Sequence, residues 1–520
     1  MAIKLKLKGG TVQGFLNKDI LYVDVKMVNL DRVLINLFRY IYYNGAPSKP
    51  RYPKEYTLDS LKDVNLKKLE ENGVLKGASN NPEAVEDWLR SSLLEIVNRG
   101  NIVKEHVSAL KPLHLQSYLI RNSKYCRDYR TSDQLYLMLK SNSEVLAQLT
   151  KYLSKGWDDK NSTVIKAEDL DVDTAGILYL TQNIKDKREM NTEANIIPKP
   201  FLTRQAALFT DDIRRLLVYK DKLPRTVFID YLRILCGFHL TLYTLKVIYL
   251  LPEMVEAGSR EVDDNWSMVV DLTDNLDSRV APYACKDYQR IENRVGQYIR
   301  STYMADIIQN RKGCDIDQAL YILKNDNNIS DGYYEQEINR IMGSLPASKD
   351  DEFDQNDLKE MLSYFPENDY FSQYVQILEK SSLGAYQYKY LREFLDSVAM
   401  KNSPSMFLAD SRSRRHPRRG VLGSRLLETL VQLLVLKEKP DGEFESRALS
   451  LDELTTLIRK RYSLIINGMN EERFAGSDIE TAAAFKENTE ALKNKLRQIG
   501  FYKDMSDACI LQKIRPRYKF

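Results

Sequence analysis

From Val227 to Leu251 the chain is almost wholly apolar, yet it carries Asp230, Arg233, His239 and Lys246 within that run. A stretch of this length is long enough to cross a bilayer, but charged side chains along it would be costly in lipid. The run is therefore expected to be a buried helix, and no membrane contact is expected. A helix apolar on every side needs other elements packed all round it. The 520 residues supply them, being too many for one simple core and suggesting three or four domains. With 43% hydrophobic and 29% charged residues, the chain can bury such cores and is not disordered in bulk.

The five cysteines, Cys126, Cys236, Cys285, Cys314 and Cys509, form no CxxC pair. This argues against zinc knuckles and disulfide frameworks and predicts reduced thiols in the cytoplasm. The opening MAIKLKLKGG has charge but no apolar core of a secretory signal. The net charge of +4 is unevenly spread. Residues 1–252 and 411–520 have an excess of Lys and Arg, and 253–410 an excess of Asp and Glu. Such asymmetry predicts contact with a polyanion, or docking of the oppositely charged regions on each other.

Periodicity predicts a mainly α, multidomain protein with a small α/β N-terminal part and a C-terminal winged-helix-like module. The expected divisions are an N-terminal α/β region over 1–120, a helical domain over 121–255, an acidic helical domain over 256–410 and a basic winged-helix-like domain over 411–520. Ile3, Leu5 and Leu7 alternate with Lys4, Lys6 and Lys8, and Ile20 to Val28 partly alternates, so two paired strands are expected. Leu30, Val33, Leu34, Leu37 and Ile41 have helical spacing. Pro82 opens a helix expected to reach Val97, with acids in its first turn. Further helices are expected near 132–154, 204–220 and 226–250, the last stopped by Pro252.

In the last hundred residues Leu426, Leu427, Leu430, Leu433 and Leu434 make one apolar stripe. Ser450 and Glu453 are spaced as a capping box. A third helix over 481–499 buries Phe485, Leu492, Leu496 and Ile499 and ends at Gly500. Ala508 to Ile514 reads as a strand, completing helix, helix, helix, wing. Lys486, Lys493 and Arg497 share a face of that third helix, about 100° from its apolar stripe. A basic third helix is how such modules meet double-stranded DNA. Arg412, Arg414, Arg415, Arg418 and Arg419, just before the module, are expected to reach phosphates. Glu487 and Glu490 dilute the face, so a protein-docking module is the competing expectation.

No P-loop, HExxH, GxSxG or HxE…CxxC pattern occurs, so no catalytic residue, metal ligand or cofactor is assigned. His239 lies at helical spacing from Leu232, Leu235 and Leu242 and reads as a satisfied core histidine. Asp326, Asn328, Ser330 and Glu337 fit an EF-hand loop at four positions, but Asp331 stands where the glycine is required. Asp441 and Glu443 resemble the start of a nuclease motif without its lysine. Asp230, Arg233, Gly237, Thr241 and Thr244 line one face of the long helix, which is expected to receive another helix of the same chain.

Two stretches carry a resemblance. FIDYLRILCGFHLTLYTL, Phe228 to Leu245, and the segments LIRKRYSLIINGM and NTEALKNKLRQIGFYKDMSDACILQKIRPRY within Leu457 to Tyr518 resemble accessory subunits of bacterial anti-phage defence systems. The systems concerned are methylation-associated defence and phosphorothioation-dependent restriction. The resemblance implies a bacterial cytoplasmic protein working with ATPase, nuclease or methyltransferase subunits, and it assigns no active-site residue. Together these readings predict a non-enzymatic, DNA-contacting assembly subunit. The alternatives are a protein-only scaffold or a metal-dependent nuclease of hidden motif.

Overall fold

The computed structural model describes residues 17–45, 55–101, 103–165, 169–184, 199–326, 329–330, 332–347, 353–400, 402–409, 418–502 and 513–520. Ile20 closes a turn, and the segment after it, to Val28, forms no helix, with Leu21, Val23 and Val25 buried in alternation. It joins no strand ladder among the described residues. Asp24 N–H donates to Tyr129 O at 2.9 Å instead, and its expected partner, Ile3 to Leu7, lies outside the described residues. Helix α1 (Leu30–Tyr42) starts where Asn29 accepts from the Asp31 and Arg32 amides, and its three-and-four apolar face is buried. Next come α2 (Leu58–Glu71) and α3 (Pro82–Trp88), with Pro82 in the first turn as expected. That helix does not reach Val97. A wide turn over Leu89–Leu93 passes into β1 (Leu94–Val97), antiparallel to β2 (His106–Leu110). The reason is a change of period: Leu94 and Ile96 are buried in alternation, as a strand with one covered face requires.

Helices α4 (Thr131–Lys140) and α5 (Ser143–Leu153), a short hairpin of β3 (Trp157–Asp158) and β4 (Thr163–Val164), α6 (Val172–Thr181) and α7 (Thr203–Val218) lead to α8 (Arg225–Ala257). This last helix is long and apolar enough to cross a membrane, and its apolar window is fully buried inside the protein. It does not stop at Pro252. A proline lacks one backbone donor, and near the end of a helix that loss removes a single bond. The helix goes on to Ala257 and ends at Gly258, whose φ of +72° makes the left-handed cap. Its small-residue face is filled from within the chain. A Cβ on Gly237 would lie 2.9 Å from Leu30 Cδ1 and 3.1 Å from Val398 O, and Arg233 donates to Asp31 at 2.8 Å.

The chain continues through β5 (Met268–Asp271), α9 (Ala281–Glu292), α10 (Val295–Lys312), α11 (Ile316–Asn325), α12 (Gly332–Ser344), α13 (Gln355–Leu362), α14 (Tyr370–Lys380), α15 (Ser382–Ala399), β6 (Leu408–Ala409) and β7 (Arg419–Val421). The last part holds α16 (Ser424–Leu434), a hairpin of β8 (Leu436–Glu438) and β9 (Phe444–Ser446), α17 (Leu451–Tyr462), β10 (Leu464–Ile465) and α18 (Ile479–Gln498). The three expected helices are present. Ser450 and Glu453 make the expected box, with Glu453 N–H on Ser450 Oγ at 3.1 Å and Ser450 N–H on Glu453 Oε2 at 2.7 Å. Between the first and second helices lies the β8–β9 hairpin, whose three-residue strands are too short to show in the periodicity. Most of Ala508 to Ile514 lies outside the described residues; Ile514 itself bridges Leu449.

A four-stranded sheet of order β10-β5-β7-β6 ties this part to the rest. β5 runs parallel to β10 and β7, while β6 is antiparallel to β7. The strands thus come from both sides of residue 411. Asn488 of α18 locks the helix to the sheet: its Nδ2 donates to Val270 O and Ile466 O, and its Oδ1 accepts from Leu272 N–H, each at 2.9 Å. One buried apolar cluster extends from Ile20 to Ile514, with two small satellites.

Candidate functional site: a basic helix face and a basic cleft

Helix α18 begins at Asp478, whose carboxylate accepts from Thr481 N–H at 2.9 Å. From there Lys486 is exposed, while Lys493 and Arg497 are half-buried. These two flank the buried Tyr502 ring, with centroid distances of 5.9 and 5.7 Å. Arg497 also donates to Asn494 Oδ1 at 2.7 Å. Lys495 points the other way, pairing with Asp274 at 2.8 Å and donating to Leu422 O at 2.9 Å. Glu487 is turned to the Arg279 amide, 3.3 Å away.

The basic stretch before the module behaves differently from expectation. Arg418 and Arg419 are only 6% and 3% exposed. Arg418 pairs with Asp396 at 2.6 Å and Arg419 with Asp271 at 2.7 Å. Entering β7 turns both inward, so neither is placed to meet a phosphate. Arg412, Arg414 and Arg415 lie outside the described residues.

Sequence reasoning missed a cleft of about 690 Å³ bounded by α7, α8, the β8–β9 hairpin and α17. Its lining includes Arg204, Arg215, Lys246, Lys437, Arg447, Lys460 and Arg461, against two carboxylates, Asp264 and Glu438. Both carboxylates are engaged: Arg214 grips Glu438 at 2.7 and 2.8 Å, and Lys246 lies 2.9 Å from Asp264. Arg215 reaches Asp211 at 2.9 Å and donates to Leu436 O at 2.7 Å. Arg204 and Lys460 stand exposed at the rim, and Arg447 is half-buried. The cleft thus carries an excess of positive charge, the condition for holding an anion.

Beneath it lies a polar centre in which Asp212, His239 and Tyr462 are fully buried. His239 Nε2–H donates to Asp212 Oδ2 at 2.8 Å, and Tyr462 Oη donates to the same oxygen at 2.9 Å. Arg461 Nε donates to Asp212 Oδ1 at 3.0 Å. The carboxylate fixes the His239 tautomer, so Nδ1 accepts from Gln205 Nε2–H at 3.0 Å. Burial and the Arg461 charge push the His239 pKa down, keeping the ring neutral. Burial alone would raise Asp212, but Arg461 and His239 outweigh it and hold the carboxyl below its ordinary range. Both ring nitrogens are filled and the ring is fully enclosed, so His239 is the satisfied core histidine its spacing predicted. Asp441 and Glu443 sit in the β8–β9 turn, where Asp441 Oδ1 accepts from Glu443 N–H at 3.0 Å. Among the described residues no group of three His, Cys, Asp or Glu side chains gathers as metal ligands.

The family model for methylation-associated defense system protein MAD7 matches residues 11–518. The chain belongs to that family. Comparison with curated proteins gives no match. In this MAD7-family chain the cleft had a faint signal in the sequence. Arg459, Lys460 and Arg461 are consecutive on a helix, so they point about 100° apart. Arg459 binds Glu471 at 2.8 Å, Arg461 turns in to Asp212, and Lys460 faces out at the cleft. Three basic residues in the last turn of a helix also suit its dipole, and only the tertiary fold separates the three roles.

Proposed function

We propose that the chain is a non-enzymatic assembly subunit of a methylation-associated defence complex that contacts double-stranded DNA through its winged-helix-like C-terminal part. The observation that carries this reading is the basic face of α18, where Lys486 is exposed and Lys493 is half-buried, with Arg497 one turn further on. Their neighbours Lys495, Arg418 and Arg419 are consumed by internal carboxylates. Arg412, Arg414 and Arg415 are the further proposed phosphate contacts. The reading places the protein in the bacterial cytoplasm beside ATPase, nuclease or methyltransferase subunits; membership of a defence-system family supports partner subunits in general.

Fluorescence anisotropy with duplex DNA at several salt concentrations tests it. Log affinity should fall with log salt by about 0.9 per phosphate neutralised. Lys493→Glu with Arg497→Glu should weaken all sequences alike, since phosphate contacts carry position rather than base identity. A folded double variant that binds as wild type would replace this reading with a protein-docking scaffold.

A further inference from the structure

We infer that the basic cleft between α7, α17 and the β8–β9 hairpin is a binding site for one nucleoside phosphate unit whose base carries an exocyclic amine. The phosphate end rests on charge. Arg204, Arg447 and Lys460 line the cleft while both of its carboxylates are held by other cations. The Arg447 Nε is buried without a hydrogen-bond partner, and an anion oxygen would supply one.

The base end rests on what adjoins it. A second cleft of about 1110 Å³ shares Arg204, Gln205, Lys246 and Asp264 with the first. Its further walls include Phe201, Leu250, Met254 and Tyr321, with Asp263 and Asp317 beside them. At the junction, Gln205 is 2% exposed and its Oε1 has no donor; Asp264 Oδ1 is likewise buried and unpartnered. Buried acceptors without donors are costly. A planar heterocycle with an amine would lie against Tyr321, the exposed ring of that wall, and donate at the junction, while its phosphate met the rim cations. The volumes suit a ligand of that size. The floor is rigid, because Arg461 and Gln205 are both tied into the Asp212–His239 centre.

The unit has two possible sources, a free nucleotide or a nucleotide turned out of a DNA strand, and both present the same chemistry. Isothermal titration of the full chain with AMP, ATP, adenosine and pyrophosphate, and anisotropy with a short single-stranded oligonucleotide, separate them. AMP or ATP should bind at least tenfold more tightly than adenosine or pyrophosphate if the source is free. The oligonucleotide should bind and be displaced by AMP if the source is a strand. In either case Arg204→Glu with Lys460→Glu, both at exposed positions, should weaken binding at least tenfold with unchanged circular dichroism. The site is overturned if neither ligand binds, if the double variant binds as wild type, or if pyrophosphate binds as well as ATP. The outcome is independent of duplex binding by α18, which the Lys493 and Arg497 changes report separately.

Discussion

Asp133 and His114 set opposing pH dependences within one protein. Burial, reinforced by the neighbouring Asp128, pushes the Asp133 carboxyl up to about 7, although Tyr40 Oη donates to it at 2.7 Å. Burial, reinforced by Arg225, pushes His114 down to about 3. For Asp133 the folded chain holds the proton more tightly than the unfolded one, so stability falls as pH rises from about 4 to about 7, by about 4 kcal/mol in total. For His114 the folded chain holds it less tightly, so stability rises from about pH 3 to about 6.5. The two slopes oppose each other between about pH 4 and 6.5. Asp133→Asn removes one of them while keeping an oxygen for Tyr40. Its stabilisation over wild type should be about 3 kcal/mol larger at pH 8 than at pH 5, read from urea midpoints. Equal differences at both pH values would show that Asp133 titrates normally.

At the level of elements, two contacts decide how helices sit. Gly237 lets α1 and α15 approach α8, and Gly237→Ala should cost about 1–3 kcal/mol by overpacking, measured by chemical unfolding. Asn488 satisfies three buried backbone groups of the sheet. Asn488→Ala leaves them without it and should cost about 2–4 kcal/mol, with amide exchange of Leu272 accelerated well beyond that of α10. A variant as stable as wild type would mean that water replaces the amide. These two residues also mark how far the sequence could be read. The faces of α1, α16 and α18 were legible because a helix against a core repeats every three to four residues. Gly237 was legible as part of a small-residue face, though not which helices would fill it. Asn488 was not, because a lone Asn in a helix gives no sign of strands far away in the chain. Strands of two to four residues, such as β5, β7 and β10, carry too few alternations to be recognised. Arg418 and Arg419 looked like phosphate ligands for the same reason: charge can be counted in a sequence, but the carboxylates Asp396 and Asp271 that consume it come from distant elements. The cleft escaped because its cations come from α7, α8, the β8–β9 hairpin with the residue after it, and α17.

Across the whole molecule, the sheet makes the basic C-terminal part depend on what precedes it. β7 pairs with β5 and β6, and β10 with β5. Residues 411–520 made alone should therefore show a non-cooperative thermal transition by circular dichroism, and should regain a sharp one when refolded with 1–410. A sharp transition for the fragment alone would show that α16, α17 and α18 suffice. The enclosed helix α8 has a related consequence for biosynthesis. Its 33 residues leave the ribosome well before β7 and α16 exist. At about 5–20 residues per second, α10 and α11 follow within roughly two to fourteen seconds, and α16, which completes the cover, arrives roughly ten to thirty seconds later. For that interval the nascent chain displays an apolar surface resembling a membrane segment, and its escape from aggregation or mistargeting depends on chaperones or on α1, α4 and α7, the cover already synthesised.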